Sequence, residues 1–394
     1  MQLQRLELLD VRSYPSARLD LDPGVTVLVG PNAQGKTNLL EAVHRVATGG
    51  SHRVPGDGPL VRLGAELGVI RCRVATDAGR VRRVELELGT GRRTRTRVDG
   101  QDVRRTSDIV GVLRVVMFAP EDLAIVRGDP AARRRYLDDL LAQRRPAYAA
   151  VRSDYERALR QRNQLLKRSR GFSGASSEAA EATIGVWTDQ LVTLGTQIVA
   201  ARIAAIRTLQ GPTDRFYREL ADRPERIELT LRSAAGPALD RLAADDGDTV
   251  PAVEPIAAAL RAAYAEVARE ERARGVSLVG PHRDDLLLTI GELPAKGYAS
   301  HGEAWSLALA LKLATFEVLA EVGDRPIVLL DDVFAELDTT RRARLAAACT
   351  RFDQVLVTAA VEEDVPLTGR RVDVRLREGR SELQVRAGDA HGHT

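Results

Sequence analysis

The stretch GPNAQGKTNLLEAV, Gly30 to Val43, leaves this chain few ways to fold. An apolar run, VTVLV at Val25 to Val29, enters a glycine-bounded loop, after which Leu39, Leu40, Val43 and Val46 recur at helical spacing. The pattern predicts strand, loop and helix in that order. Gly30, Pro31, Asn32, Ala33, Gln34, Gly35, Lys36 and Thr37 fill G-x-x-x-x-G-K-[ST]. In that frame backbone N–H groups and the helix N-terminus face phosphate oxygens, the lysine reaches the outer phosphates and the hydroxyl binds Mg²⁺. The alternative is a glycine-rich turn with an incidental lysine, and lysine usage speaks against it. Only Lys36, Lys167, Lys296 and Lys312 are lysines among 58 basic residues. A chain that otherwise writes positive charge as arginine keeps a compact ammonium where a guanidinium would crowd the phosphates.

A second half of the site is expected near the other end. RPIVLLDDVFAELD carries a buried-strand run, Ile327 to Leu330, that delivers Asp331 and Asp332. An apolar strand ending in carboxylates beside a phosphate loop is how P-loop proteins hold Mg²⁺ and position the attacking water. Asp331 is expected on the metal with Thr37, and Asp332 as the water-polarising base, with a shorter reach than the usual glutamate and hence slow hydrolysis. The competing reading is a strand-end turn with an aspartate as helix cap. Upstream, YASHGEAWSLALALKLATFEVLAEV places Ser300, Gly302 and Glu303 at the start of an expected amphipathic helix from about Gly302 to Val322, a second anion site. Loop, Ser-x-Gly-x helix start, aspartate-ending strand and AELD at Ala335 to Asp338 together resemble an ABC-type ATPase head. In such heads the serine of one subunit closes over ATP held by the other.

The 394 residues and 44% hydrophobic content allow a sizeable core. Cys72 and Cys349 lie far apart with no metal-ligand spacing, so reduced core thiols in a cytosolic protein are expected. No run of 18 apolar residues occurs, and a membrane is not expected as partner. Net charge is only +3, although a pI near 9.0 leaves room for a basic face. Short strands fill the first 118 residues. From Pro130 the periodicity turns helical, with a Gly/Ser break over residues 169–177 as the tip of a helical hairpin. Gly185, Gly195 and the Gly211-Pro212 pair are expected to interrupt the second helical run. Strands resume beyond Ser277. The expected fold class is α/β, an ABC-type, Rad50/SMC-like P-loop head from residues 1–120 and 277–394, with a mainly helical arm, 121–276, inserted.

That insertion is too long for a small P-loop kinase and too short for a long coiled coil. Six stretches then narrow the reading: GPNAQGKTNLLEA, FAPEDLAIVRGDPAARRRYLD at Phe118 to Asp138, ALRQRNQLLK at Ala158 to Lys167, GPHRDDL at Gly280 to Leu286, ALALKLA at Ala308 to Ala314, and LLDDVFAELDTTRR at Leu329 to Arg342. Together they resemble the RecF family of bacterial recombination mediators over nearly the whole chain. The resemblance implies a cytosolic protein that forms a homodimer with ATP and binds DNA at single-strand/double-strand boundaries. It also implies slow, DNA-stimulated hydrolysis and joint work with RecR and RecO to place RecA on gapped DNA. The rival class is an ATPase head of a transporter or chromosome-structuring complex without direct DNA binding.

Several positions depart from the family pattern. Ala33 replaces the third loop glycine, tolerable if it avoids positive φ. His301 and Glu303 stand where glutamines are usual, and TAAVEED offers Thr358 as its one polar candidate in the switch region. Glu121 or Asp122 is expected in the role of the glutamine loop. His282 with Arg283, Asp284 and Asp285 reads either as a structural loop or as a phosphate-facing element. Arg133, Arg134, Arg135, Arg144 and Arg145, and likewise Arg92, Arg93, Arg95 and Arg97, read either as DNA-phosphate contacts or as solvated faces. His391 and His393 are left unassigned.

Overall fold

The computed structural model describes residues 1–103, 106–169, 175–221, 225–244 and 251–386; His391 and His393 lie outside them. The strands are β1 (Gln2–Val11), β2 (Tyr14–Asp20), β3 (Gly24–Val29), β4 (Leu67–Ala75), β5 (Val81–Gly89), β6 (Arg95–Val98), β7 (Gln101–Val103), β8 (Val115–Phe118), β9 (Ile227–Arg232), β10 (Asp285–Ile290), β11 (Leu293–Pro294), β12 (Ile327–Asp331), β13 (Gln354–Ala359), β14 (Arg370–Arg377) and β15 (Arg380–Val385). Contacts divide the chain into two compact units, one of residues 1–123, 215–224 and 305–394, the other of 124–214 and 225–304.

The first unit holds two six-stranded sheets. One is antiparallel, in the order β2-β1-β4-β5-β6-β7. Its strands alternate: Leu6, Leu8, Ile70, Cys72, Val74, Val84 and Leu86 are buried, while the intervening charged residues face outward. The other runs β15-β14-β3-β13-β12-β8, parallel from β14 to β8, with β15 as an antiparallel edge. Its central strands read as continuous apolar runs because both faces are covered. The Lys36–Thr48 helix buries Leu39, Leu40, Val43 and Val46 in one core with the inner faces of both sheets. Gly49, at φ 79°, ends that helix in a left-handed turn. Both cysteines are free and buried, as expected of core thiols.

The second unit packs the helices Pro130–Arg144, Pro146–Arg168, Pro237–Ala244 and Val253–Arg274, and most of Ala175–Leu220, around the small sheet β11-β10-β9. Ala175–Leu220 is one helix of 46 residues, so the expected interruptions do not occur. Gly185 and Gly195 are helical, and a Cβ at Gly195 would make ordinary van der Waals contact with Pro281, Tyr155 and Leu260 at 3.4–3.6 Å. Pro212 also stays inside the helix, flanked by buried Leu209, Thr213, Phe216 and Tyr217. Packing here overrides the local penalty of proline. Part of the helix is long and apolar enough to pass for a membrane span by composition, but 56% of that window is buried. Of the expected hairpin tip, residues 170–174 lie outside the described set.

Two further expectations change. The helix His301–Ala320 is not amphipathic: from Ala304 to Leu319 nearly every residue is buried. The arginines of the Pro130–Arg144 helix are not one solvated face. Arg133 is 4% exposed and holds Asp285 through Nε and Nη2 at 2.7 and 2.9 Å, and Arg134 donates to the carbonyl of Asp284 at 2.7 Å. Asp284 accepts from Ser233 Oγ and the Ala234 N–H, and His282 Nδ1 lies 2.7 Å from Tyr155 Oη. GPHRDD is therefore a hydrogen-bonded polar knot within the second unit, with Asp284 buried and Arg283 exposed.

Candidate nucleotide-binding site

Long-range contacts dictate the shape of the phosphate loop. Gly30 follows the end of β3, and a Cβ there would lie 2.2 Å from the Val374 carbonyl oxygen on β14, so no other residue fits. Gly35 is left-handed at φ 106° and would press a Cβ against Ser381 Oγ at 2.5 Å. Ser381 Oγ, only 2% of whose residue is exposed, donates to the Gln34 carbonyl at 2.6 Å and lies 2.7 Å from Ser13 Oγ. Tyr14 Oη donates to the Gly35 carbonyl at 3.2 Å, and Gln34 Oε1 accepts the Leu376 N–H at 2.6 Å. The β14–β15 hairpin thus backs the loop. Ala33 does not avoid positive φ: it sits at 64°, where an L-residue with a Cβ is strained by about 1–2 kcal/mol.

Lys36, 3% exposed, donates Nζ hydrogens to the carbonyls of Gly30 and Pro31 at 2.7 and 3.0 Å. Burial lowers its pKa, against the raising effect of Asp332 and Asp331. The parallel register sets Thr358 of β13 beside Asp331 of β12. Asp331 Oδ1 accepts from Thr358 Oγ1 at 2.7 Å and from Thr37 Oγ1 at 2.9 Å, joining the loop to the second strand. Thr358 Oγ1 also accepts the Asp332 N–H at 2.8 Å. Asp332 turns left-handed at φ 50°, a region aspartate tolerates, and its Oδ1 is buried with no hydrogen-bond partner among the described residues.

Hydroxyl and carboxylate oxygens from Thr37 and Asp331 suit Mg²⁺, which takes one or two protein oxygens and completes its shell with phosphate and water. The unpartnered Asp332 oxygen points to a further group beside them, such as an ordered water. Asp122 is committed elsewhere, accepting the Ala119 N–H at 2.8 Å and pairing with Lys312 at 2.7 Å. Glu121 is exposed, and its charge contributes to the raised pKa of Asp331. In the second unit, Ser300 and Glu303 form a reciprocal cap: Glu303 Oε2 accepts the Ser300 N–H at 2.8 Å, and Ser300 Oγ accepts the Glu303 N–H at 3.3 Å. His301 is exposed and Gly302 half-buried beside them. Ser13, Tyr14 and Ser381 escaped sequence reasoning because no local pattern marks a residue that acts across the fold.

Burial, first, and then the nearby negative charges of Asp332 and Glu121 push Asp331 up to about 6, against the lowering hydrogen bonds from Thr358 and Thr37. The folded value lies above the ordinary carboxylate value of 3.8, so ionising Asp331 destabilises the nucleotide-free fold as pH rises through about 6, and not below about 4. At 1.36 kcal/mol per unit the effect is about 3 kcal/mol. Asp331→Asn should therefore be more stable than wild type to urea at pH 8, with the gain shrinking toward pH 4, while losing Mg-dependent nucleotide binding. Equal stability at pH 8 would show that the carboxylate is not held at a loss.

Residues 2–382 match the model of the RecF/RecN/SMC N-terminal domain family. The chain is 51% identical over 380 residues to the DNA replication and repair protein RecF of Kineococcus radiotolerans, covering 95% of this chain and 97% of that protein. It is 49% identical to the RecF of Streptomyces avermitilis, covering 95% and 98%. A solved structure of the recombination mediator protein RecF with ATPrS in the RecFOR pathway superposes with a TM-score of 0.85 at 26% identity, over 97% of this chain and 98% of that one. An Smc head bound to the C-terminal winged-helix domain of ScpA shares the fold, with a TM-score of 0.56 at 14% identity over 99% and 98%. With a phosphate loop, an aspartate-ending strand and a helical insertion in one α/β head, this chain belongs to the RecF family of DNA replication and repair proteins.

Proposed function

We propose that the protein is an ATP-switched DNA-binding recombination mediator acting in gap repair. The observation that carries the reading is the Thr37–Asp331–Thr358 cluster beside Lys36, which ties the glycine-bounded loop to the aspartate-ending strand. Support for ATP comes from relatives solved with ATP and ATPrS. In this reading the loop from Gly30 to Thr37 wraps the phosphates and Lys36 neutralises charge between the outer ones. Thr37 and Asp331 hold Mg²⁺, which when bound offsets developing charge on the phosphate oxygens. Asp332, oriented by the Thr358 bond to its N–H, takes the proton of the attacking water.

Ser300, Gly302 and Glu303 of a second copy close over that ATP, so two chains make two sites and hydrolysis reopens them. Residues 1–120 and 305–394 serve as the head and 121–276 as the arm, while residues 277–304, expected in the head, group by contacts with the helical unit. DNA is bound at single-strand/double-strand boundaries, and RecR and RecO join the protein in placing RecA on gapped DNA. Sedimentation with and without ATP tests the switch. Wild type should shift from monomer to dimer with ATP, and Ser300→Arg should stay monomeric at saturating ATP while its nucleotide affinity is unchanged. A dimer of Ser300→Arg indistinguishable from wild type would remove Ser300 from the closure.

A further inference from the structure

The outer face of the antiparallel sheet carries rows of charge whose order is set by strand register. In one row Glu7 faces Arg71, Arg71 faces Glu85, and Glu85 faces Arg97, so signs alternate across β1, β4, β5 and β6. Arg71 and Arg97 both ion-pair with Glu85. The neighbouring row breaks that order: Arg5 faces Arg73, and Arg73 faces Arg83. Like charges set directly opposite destabilise a sheet. Of the acids at the row's two ends, Asp20 ion-pairs with Arg5 and Arg18, and Asp99 binds Arg82 and the Arg83 N–H while its charge also acts on the Arg83 side chain, so relief reaches the ends of the row and leaves Arg73 at its centre between two like charges. The side chains of Arg73 and Arg83 are exposed and make no ion pair among the described residues. Both rows line one concavity of about 780 Å³.

We infer that this row is a contact for the phosphate backbone of duplex DNA, lying on each single head. Adjacent strands are about 4.8 Å apart, so three opposed arginines span about 10 Å, the reach of two or three successive phosphates on one strand. Arginine forks suit phosphate oxygens, and a bound phosphate would add counter-charge at Arg73, which has like charges on both sides, and at Arg83, which makes no close ion pair among the described residues. The assignment rests on the DNA-binding reading above and adds where on the head the backbone lies. Because the row is complete within one chain, part of the affinity should persist without ATP, and the number of phosphate contacts, and with it the salt slope, should double when two heads join.

The test is a salt titration of anisotropy with a labelled 30-base-pair duplex, with and without ATP, for wild type, Arg73→Gln/Arg83→Gln, Arg73→Lys/Arg83→Lys and Arg71→Gln. The double glutamine variant should bind roughly tenfold to a hundredfold more weakly at about 0.1 M salt, with a salt slope lower by about two per head. Its ATP affinity should be unchanged and its melting temperature equal or higher. The lysine pair should restore most binding, and Arg71→Gln should leave the slope unaltered. Wild-type binding that the double glutamine variant matches in affinity and slope would overturn the assignment and leave the DNA reading standing. Equal losses in Arg71→Gln and the double variant would show a response to overall charge and also overturn the row. No DNA binding by wild type would remove both.

Discussion

Lys36→Met is expected to abolish useful ATP affinity. Removing one partner of a buried, hydrogen-bonded charge pair weakens binding by about 2–5 kcal/mol, thirtyfold to several thousandfold. The nucleotide-free fold should survive, since burial already disfavours this ammonium and its two carbonyl partners belong to the loop itself. Lys36→Arg should bind nucleotide and turn over poorly, because the broader guanidinium displaces the outermost phosphate. Calorimetry with ATP separates the two variants. Wild-type affinity in Lys36→Met would undo the nucleotide reading as a whole.

Asp332→Asn should lower kcat by about 10²–10⁴ while sparing Mg-ATP, so that ATP traps the dimer. Asparagine is the informative substitution. It tolerates the left-handed turn that Asp332 occupies at φ 50°, whereas alanine would strain the turn and confound loss of the base with loss of geometry. The Thr358 bond to the residue 332 N–H is also kept. Sedimentation after an hour with ATP reads the outcome: a persistent dimer is expected, and a monomer at saturating ATP would end the role assigned to this carboxylate.

What could be read in the sequence was what chemistry writes locally. Gly30 to Thr37 announce themselves because phosphate recognition needs consecutive backbone N–H groups and a helix start. Asp331 and Asp332 stand out because an apolar strand ends in two acids, a pattern that a strand-end cap also produces and that gains meaning only beside the loop at Gly30 to Thr37. Thr358 is legible only as the candidate polar group of the switch region, and its bonds to Asp331 and Asp332 follow from the pairing of β12 with β13, which no local pattern encodes. Ser381 and Ser13 are further still from any motif. The helix around Pro212 was misread for the opposite reason: a strong local signal was outweighed by the burial of Leu209, Thr213 and Tyr217. Arg133 looked like surface charge and is a buried clasp on Asp285, a role set by a partner 152 positions away.

The placement of β3 has a consequence for how the protein is made. This strand runs directly into the phosphate loop, yet both its neighbours, β13 and β14, come from the end of the chain. At about 5–20 residues per second, a ribosome that has released Val25 to Val29 needs on the order of half a minute more to supply either partner. The intervening helices can settle in that interval, but an apolar strand with two open edges cannot, and such edges invite wrong pairings. Nascent chains are thus open to aggregation through the strand that leads into the proposed phosphate loop. The loop gains its bonds to Ser381 only once that residue has been translated, so a product that stops short of it lacks the support that the β14–β15 hairpin gives the loop.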